Sequence, residues 1–113
     1  MCSEREIKLL VDEILQRAKK EYGSKLDSVI LYGSYARNEA DDESDVDIMI
    51  LVDEDREKLL AQRYNWNCFG TDLDLKYGVL TSMKLQDTKS FYEWREVLPF
   101  YRNVLNEGVR LYA

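Results

Sequence analysis

The stretch VILYGSYARNEADDESDVDIMILV, residues 29–52, decides the fold and carries the most informative pattern of the chain. Its two apolar ends predict strands, one over residues 25–32 and one over residues 45–52. Between them, Gly33 and Ser34 are followed by ten residues and then by Asp45-Val46-Asp47. Side chains at positions i and i+2 of a strand leave the same face. Asp45 and Asp47 are therefore expected to point into one small volume.

The combination of a Gly-Ser turn with two carboxylates predicts chemistry at a phosphate. A strand that ends at Gly33-Ser34 and turns into a helix start presents free backbone N–H groups, which suit phosphate oxygens. Two neighbouring anions repel each other, and a divalent cation relieves the repulsion. Asp45 and Asp47 are therefore candidate ligands for one or two Mg²⁺ ions, which could clamp the attacking and leaving oxygens at phosphorus. Ser34 is a candidate contact for the β- and γ-phosphates.

An alternative interpretation of the same carboxylates is a solvated acidic loop, because runs of like charge usually lie in solvent. For residues 41–43 this reading is adopted. It fits Asp47 poorly, because Asp47 lies between Val46 and the apolar run Ile48-Met49-Ile50. A calcium-binding EF-hand loop is excluded, because the central glycine and the alternating ligand order are missing.

The stretch resembles the signature of the polymerase-β-like nucleotidyltransferase superfamily, and more narrowly the small minimal nucleotidyltransferases (MNT proteins) of prokaryotes. The matching residues are Gly33, Ser34, Ala36, Arg37, Ser44, Asp45 and Asp47. One departure is Asn38, where the family commonly has glycine. Asparagine tolerates left-handed backbone better than most other residues, so the departure is mild.

The resemblance implies ATP as substrate, with attack of a hydroxyl on the α-phosphate and departure of pyrophosphate. It implies a nucleotide site that includes Gly33, Ser34, Arg37 and Ser44. Arginine suits bidentate contact with phosphate. A salt bridge from Arg37 to the acidic loop is an equally good interpretation.

The resemblance also implies a third carboxylate from a neighbouring strand, which completes the metal site and accepts the proton of the incoming hydroxyl. Asp72 and Asp74 are the candidates, because alternation over residues 71–81 predicts a third strand with both on its polar face. Asp74 is favoured, since it lies deeper in that strand. Lys76 shares the face, and a solvated lysine is a better interpretation of it than a phosphate contact.

The rest of the chain completes an α/β pattern of helices and strands. Apolar residues at helical spacing predict a helix over residues 3–22, with Ser3 and Glu6 in capping-box form and Gly23 as its C-cap. A short helical turn over residues 34–38, an acidic loop over 39–44 and helical pieces over 53–63, 91–94 and 100–105 follow, with Gly108 ending the last. The expected fold is a small mixed β-sheet packed against helices, the polymerase-β-like nucleotidyltransferase fold, in a single domain over residues 1–113.

Composition excludes several classes of function. The chain contains no histidine, which removes histidine-based zinc sites, Ser-His triads and histidine general bases. Its formal net charge of −6 argues against direct binding of nucleic acid. No apolar run is long enough to cross a membrane. Cys2 and Cys68, in a chain without an export signal, predict free thiols in a reducing cytoplasm, with Cys68 buried.

The small size leaves no room for a domain that binds an acceptor, so the acceptor is expected to be a partner protein. MNT proteins are typically encoded beside a HEPN-domain ribonuclease toxin and can transfer AMP to a hydroxyl of it. The resemblance thus implies a protein adenylyltransferase that acts as an antitoxin, and an acidic surface suits a basic partner. Two alternatives remain open. One is a non-catalytic nucleotide-binding module that neutralises its partner stoichiometrically, and the other is a small-molecule (antibiotic) nucleotidyltransferase.

Overall fold

The structure, a computed structural model, describes residues 3–41 and 43–112. Cys2, and Asp42 of the predicted acidic loop, lie outside the described residues. The elements are, in chain order, α1 (Glu4–Tyr22), β1 (Leu26–Tyr32), β2 (Val46–Val52), α2 (Arg56–Ala61), α3 (Arg63–Tyr77), β3 (Thr81–Asp87), α4 (Thr88–Trp94), α5 (Pro99–Glu107) and β4 (Val109–Tyr112). The predicted α/β fold with a small mixed sheet is confirmed.

The sheet has the order β3-β2-β1-β4, so β2 is an inner strand and β3 is an edge strand. Strand β2 pairs antiparallel with β1 and parallel with β3, and β1 pairs antiparallel with β4. The parallel pair needs a long crossover, which α2 and α3 provide. Every residue of Ile48–Val52 is buried, as expected of a strand covered on both faces.

Helix α1 covers one face of the sheet, as its apolar spacing predicts. Ser3 caps it: the Ser3 hydroxyl accepts from the Glu6 N–H, and the Glu6 carboxylate accepts from the Ser3 N–H, which completes the predicted capping box. The buried side chains of α1 recur every four residues and form one stripe, namely Leu10, Ile14, Ala18 and Tyr22. This stripe packs with α3 against alternate residues of β1 and β2.

The two faces of the sheet have separate cores. On the α1 and α3 face, Trp66 is buried, its ring stacks on Tyr22 at 6.2 Å between centroids, and its Nε1 donates to the Tyr22 hydroxyl. On the other face, Phe91 of α4 and Val104 of α5 pack on Met49 and Ile30. The helical pieces predicted over residues 53–63, 91–94 and 100–105 correspond to α2, α4 and α5, and Gly108 ends α5 with its N–H bonded to the carbonyl of Val104.

The strand predicted over residues 71–81 is wrong. Residues up to Tyr77 belong to α3, and the third strand along the chain begins only at Thr81. The alternation of Leu73 and Leu75 suggested a strand, but Leu73 is buried while Leu75 is 82% exposed. Gly78 ends α3 in left-handed conformation, as a helix C-cap. Helical burial every three to four residues therefore prevails over the two-residue alternation.

Three smaller findings concern Cys68, the helices and strand β4. The Cys68 thiol is exposed on α3, so the prediction that it is buried is wrong. In the described part of the chain, no helix combines the length and the apolar character needed to span a membrane. Strand β4 was not predicted, because four residues directly after a helix carry little pattern of their own.

Candidate functional site

The turn that follows β1 has the backbone expected of an anion-binding loop. Gly33 has φ +75°, which favours glycine, and Asn38 also has left-handed φ at 60°, as its tolerance for that region predicts. Helical-type bonds run from the Arg37 N–H to the Gly33 carbonyl and from the Glu39 N–H to the Ser34 carbonyl. Residues 34–38 are turn rather than regular helix. Within the described residues, the N–H groups of Ser34 and Ala36 have no hydrogen-bond acceptor, so they are available to an anion.

Asp47 lies directly against this turn. It is the second residue of β2, and the register pairs it with Tyr32 of β1 and with Ser82 of β3. A Cβ atom placed on Gly33 would overlap Oδ2 of Asp47 and lie 3.3 Å from its Cγ. Glycine is therefore required at position 33 both for its backbone conformation and for the space that the Asp47 carboxylate occupies.

The electrostatics of the site support the expected proximity of the two aspartates. Burial raises the pKa of Asp47, and the charge of Asp45 raises it further, while Lys84 and Arg37 lower it. Asp45 is exposed directly before β2, and Asp47 within the strand is half-buried. Burial, with a smaller contribution from Asp47, also raises the pKa of Tyr32 to about 12. The site thus holds an excess of negative charge in a partly desolvated place, which favours binding of a cation.

Arg37 takes part in the salt bridges that the sequence left open as an alternative to phosphate contact. Its Nε lies 3.1 Å from Glu39 and its NH1 lies 3.3 Å from Glu107 of α5. The guanidinium is partly exposed, and its charge still reaches Asp47. Arg37 therefore connects the turn to α5 and adds positive charge beside the carboxylates.

Ser44 shapes the loop that leads into β2. Its hydroxyl accepts from the Asp41 N–H and donates to the Asp41 carboxylate, and its own N–H donates to the Asp41 carbonyl. The Glu43 N–H bonds to the same carboxylate. These local bonds fix the direction in which the chain enters Asp45, so Ser44 acts here through loop conformation.

Asp72 and Asp74 lie on α3, which corrects their predicted place on a strand. Oδ1 of Asp74 accepts from the N–H and the hydroxyl of Thr81, both at 2.8 Å, and so joins the end of α3 to the start of β3. Asp74 also lines a cavity of about 350 Å³ together with Asp45 and Ser44. Asp47 does not line this cavity: Ser82 shares the Asp47 face of β3, so Thr81 and the Asp74 carboxylate bonded to it lie on the opposite face. Asp72 is exposed and does not line this cavity.

The strand beside Asp47 carries residues that the sequence analysis did not single out. The pairing of Asp47 with Ser82 places Ser82 and Lys84 on the Asp47 face of β3. Lys84 is exposed, its Nζ lies 4.9 Å from the centroid of the Phe100 ring, and its charge lowers the pKa of Asp47. Only the correct placement of β3 reveals this neighbour.

Lys76 does not belong to the site. Its Nζ lies 3.0 Å from the Glu13 carboxylate of α1, and it also lies over the ring of Tyr77. The interpretation of Lys76 as a surface lysine rather than a phosphate contact agrees with this position.

Among residues 3–41 and 43–112, no three carboxylate, thiolate or imidazole side chains come close enough together to form a metal site on their own. The donors that Asp45 and Asp47 provide nevertheless fit Mg²⁺. Both are hard oxygen ligands, and Mg²⁺ is commonly held by one or two carboxylates, with the remaining positions taken by water and substrate phosphates. Burial first and the charge of Asp45 second raise the pKa of Asp47, and a bound cation would favour the ionised carboxylate against both effects.

Comparison with known proteins gives consistent matches. Residues 11–110 match the family model described as "Nucleotidyltransferase domain". A protein of Methanocaldococcus jannaschii that is named as a candidate protein adenylyltransferase is 34% identical over 102 residues, which cover 90% of this chain and 94% of the relative.

Two solved structures share the fold. One is a variant of the toxin–antitoxin complex MntA–HpeT, with TM-score 0.55 and 20% identity over 90% of this chain and 72% of that chain. The other is a toxin–antitoxin with AMP-PNP, also with TM-score 0.55 and 20% identity, over 88% of this chain and 70% of that chain.

Proposed function

The chain belongs to the nucleotidyltransferase domain family and is a nucleotidyltransferase, and from this premise we propose that it transfers AMP from ATP to a hydroxyl group of a partner protein. The observation that carries the proposal is the contact between the Gly33 turn and the Asp47 carboxylate, with Asp45 beside it. This contact brings an anion-binding backbone and a cation-binding carboxylate pair together, and both are needed to hold a nucleoside triphosphate. The name of the Methanocaldococcus jannaschii relative supports a protein as the acceptor.

Asp45 and Asp47 would hold Mg²⁺ at the phosphates. There the ion would supply charge neutralisation for the leaving pyrophosphate and polarisation of the α-phosphate. The N–H groups of Ser34 and Ala36 would bind phosphate oxygens, and the Ser34 hydroxyl would add a further donor. Lys84 and Arg37 would add positive charge to a site that is otherwise acidic.

The transfer needs one bond to form and one to break. An acceptor hydroxyl oxygen attacks the α-phosphorus, the bond from that phosphorus to the oxygen bridging the β-phosphorus breaks, and pyrophosphate leaves. The hydroxyl proton passes to a carboxylate. Asp74 is our candidate for this third carboxylate, because it lines the same cavity as Asp45 and Ser44. Its Oδ1 is already bound to Thr81, so the proton would go to Oδ2.

We propose a toxin as the partner, specifically a HEPN-type ribonuclease, with this chain as its antitoxin in the cytoplasm. The support is the fold shared with toxin–antitoxin structures, one of them with AMP-PNP, and a net charge of −6 that suits a basic RNA-cutting protein. We also propose that residues 1–113 act as one nucleotidyltransferase domain.

A second candidate function is stoichiometric neutralisation by a nucleotide-binding module that does not transfer AMP. The specific observation in its favour is that, among the described residues, no third carboxylate lies close enough to Asp45 and Asp47 to complete a metal site with them. The two functions differ in turnover, because a catalyst inactivates many partner molecules while a binding module inactivates one.

The deciding experiment measures label transfer from α-labelled ATP with Mg²⁺ to proteins of a lysate that contains the partner. Wild type is compared with Asp45→Asn, Asp47→Asn and, as matched control, Asp53→Asn. Asp53 is exposed just beyond the opposite end of β2, so its substitution removes one charge outside the site. The proposal is supported if the labelled band is lost in Asp45→Asn and Asp47→Asn and is retained in Asp53→Asn. An equal band in wild type and Asp47→Asn would refute it, and no band with tight ATP binding would favour the binding module.

A further inference from the structure

The outer edge of β3 borders a groove that the proposed transfer site does not explain. A cavity of about 390 Å³ is lined by all five consecutive residues from Met83 to Asp87. Side chains of a strand alternate between its two faces, so a cavity that touches five in a row must run along the edge of the strand. Because β3 ends the sheet, this edge presents backbone N–H and C=O groups to the cavity. Within the described residues, no backbone group of another segment bonds to the outer edge of residues 83–86.

The groove is positively charged although the chain as a whole is acidic. Arg56 at the start of α2, Arg63 at the start of α3 and Lys84 of β3 line it. Among residues 3–41 and 43–112, none of the three forms an ion pair. The carboxylate in its lining, Asp87, is 7% exposed and is occupied by the Ser90 N–H and the Gln86 amide. Three cations against one carboxylate leave the lining with an excess of positive charge, and in a chain of net charge −6 this excess indicates an anionic occupant.

The two walls of the groove differ in character. Arg56 and Arg63 stand on the α2 and α3 side. Trp94 of α4, which is 46% exposed, and Tyr101 of α5 stand on the other side. An extended chain presents alternate side chains to opposite sides. A strand laid along β3 would therefore place carboxylates toward the arginines at every second position and apolar side chains toward Trp94 at the positions between.

From this geometry we propose that the edge of β3 binds an extended acidic segment of the acceptor protein, by adding it as a fifth strand to the sheet. Strand addition to a free edge is a common mode of peptide recognition, in which backbone bonds give affinity and pockets for alternate side chains give specificity. The segment has acidic residues at alternate positions and apolar residues between them. The inference rests on the proposed function only for the identity of the segment as part of the acceptor.

The groove also leads to the transfer site. Lys84 lines the groove and lies two residues from Ser82, the partner of Asp47. The arginines stand at the other end, because α2 begins shortly after Val52, whose partner is Asp87. At about 3.3 Å per residue, an acceptor hydroxyl at the Ser82 end would be followed by acidic residues roughly 10–17 Å away. The strand would thus hold the acceptor in register with the α-phosphate.

Peptide binding tests the groove without requiring catalysis. The probe is a fluorescent octapeptide of alternating Val and Glu with one terminal Tyr, measured by anisotropy, and the matched probe replaces Glu with Lys. Wild type is expected to bind the acidic peptide at least about tenfold more tightly, a difference of about 1.4 kcal/mol. Arg63→Glu should lose about tenfold, and the double variant Arg56→Glu/Arg63→Glu more. Arg5→Glu is the matched control, because Arg5 also lies in the first turn of a helix and is exposed.

Strand addition has its own signature, which simple charge attraction lacks. Single N-methyl groups along the peptide should weaken binding at every second position and leave the others unchanged, because only alternate N–H groups face β3. Equal affinity for the two peptides, or equal loss at every N-methylated position, would overturn the proposal. Displacement of the peptide by ATP with Mg²⁺ or by a short RNA would also overturn it, because the groove would then bind a nucleotide or RNA. Self-association of the protein that Arg63→Glu abolishes would overturn it as well, because the occupant would then be a second copy of this chain. If the peptide binds as predicted while labelling of the partner protein from α-labelled ATP is equal in wild type and Asp47→Asn, the proposed function fails and the groove proposal stands.

Discussion

The Cα atom of Gly33 faces the carboxylate of Asp47 across two neighbouring strands, with no room for a Cβ atom between them. The backbone that turns toward the phosphates and the carboxylate that would hold the cation are thus in direct contact. Their relative position depends on the pairing of β1 with β2 and not on a mobile loop. This contact is the basis of the first prediction.

Gly33→Ala should abolish transfer and lower stability. The added methyl group overlaps Oδ2 of Asp47, and φ +75° costs an alanine about 1–2 kcal/mol in addition. Gly78→Ala is the control, because Gly78 has φ +67° and open space around it. It should cost about 1 kcal/mol while transfer remains. Urea unfolding together with label transfer separates the two effects, and equal behaviour of both variants would contradict the role of the contact.

Asp47→Asn should raise the stability of the metal-free protein and remove its response to Mg²⁺. The pKa of Asp47 is higher in the folded chain than in the unfolded chain, so the folded state binds this proton more tightly. The resulting stability is present at low pH and is lost as the pH rises through the folded pKa. At neutral pH the variant, which lacks the charge, should therefore melt a few degrees higher than wild type. Thermal unfolding with EDTA and with Mg²⁺ should show stabilisation by Mg²⁺ in wild type and in Asp53→Asn only.

Lys84→Met should move the acidic limb of the activity profile to higher pH. Lys84 lowers the pKa of Asp47, so its removal makes the carboxylate harder to ionise, and cation binding requires the ionised form. The measurement is transfer rate against pH at saturating ATP. Lys89→Met is the control, since Lys89 is exposed on α4 and its charge is not among those that affect Asp47. An unchanged profile for Lys84→Met would show that Lys84 has no influence on the ionised site.

Asp74→Asn should lower transfer by about 10²-fold or more with little change in stability, if Asp74 accepts the proton. The asparagine oxygen can still accept from the N–H and the hydroxyl of Thr81, so the link between α3 and β3 is retained. Thr81→Val should show the reverse, a loss of about 1 kcal/mol in stability with transfer preserved. Asp72→Asn should change neither. Full activity of Asp74→Asn would leave Asp74 with a structural role alone.

The structure of residues 29–52 was predictable because the local sequence pattern and the packing of the whole sheet favour the same strands there. The apolar runs and the Gly-Ser break both predict the strands β1 and β2, and the common direction of Asp45 and Asp47 follows from the strand itself. Even the left-handed backbone of Asn38 could be anticipated from its chemistry. For these residues, sequence neighbours are also the neighbours in space that matter.

Helix α3 was mistaken for a strand because its residues satisfy two periods at once. Between positions 71 and 81, polar and apolar residues alternate, while the buried Trp66, Gly70 and Leu73 follow the helical spacing. Packing against α1 decides between the two, and that contact is not local in sequence. The same error hid Lys84 and the edge of β3. A residue that faces Asp47 from a parallel strand is identified only when the register of that strand is known.

The two tryptophans differ in solvent exposure, so their fluorescence can report on two different events in this protein. Trp66 is 5% exposed inside the α1 and α3 core, whereas Trp94 stands half-open on the wall of the β3 groove, and the chain has no other tryptophan. Trp66 emission should be blue-shifted and insensitive to iodide until the protein unfolds, while Trp94 emission should be quenched readily. Trp66 also lines the groove but has little exposed surface, so a segment bound there would reduce mainly the quenching of Trp94. Iodide quenching could thus follow unfolding and groove occupancy as separate signals in the unlabelled wild-type chain.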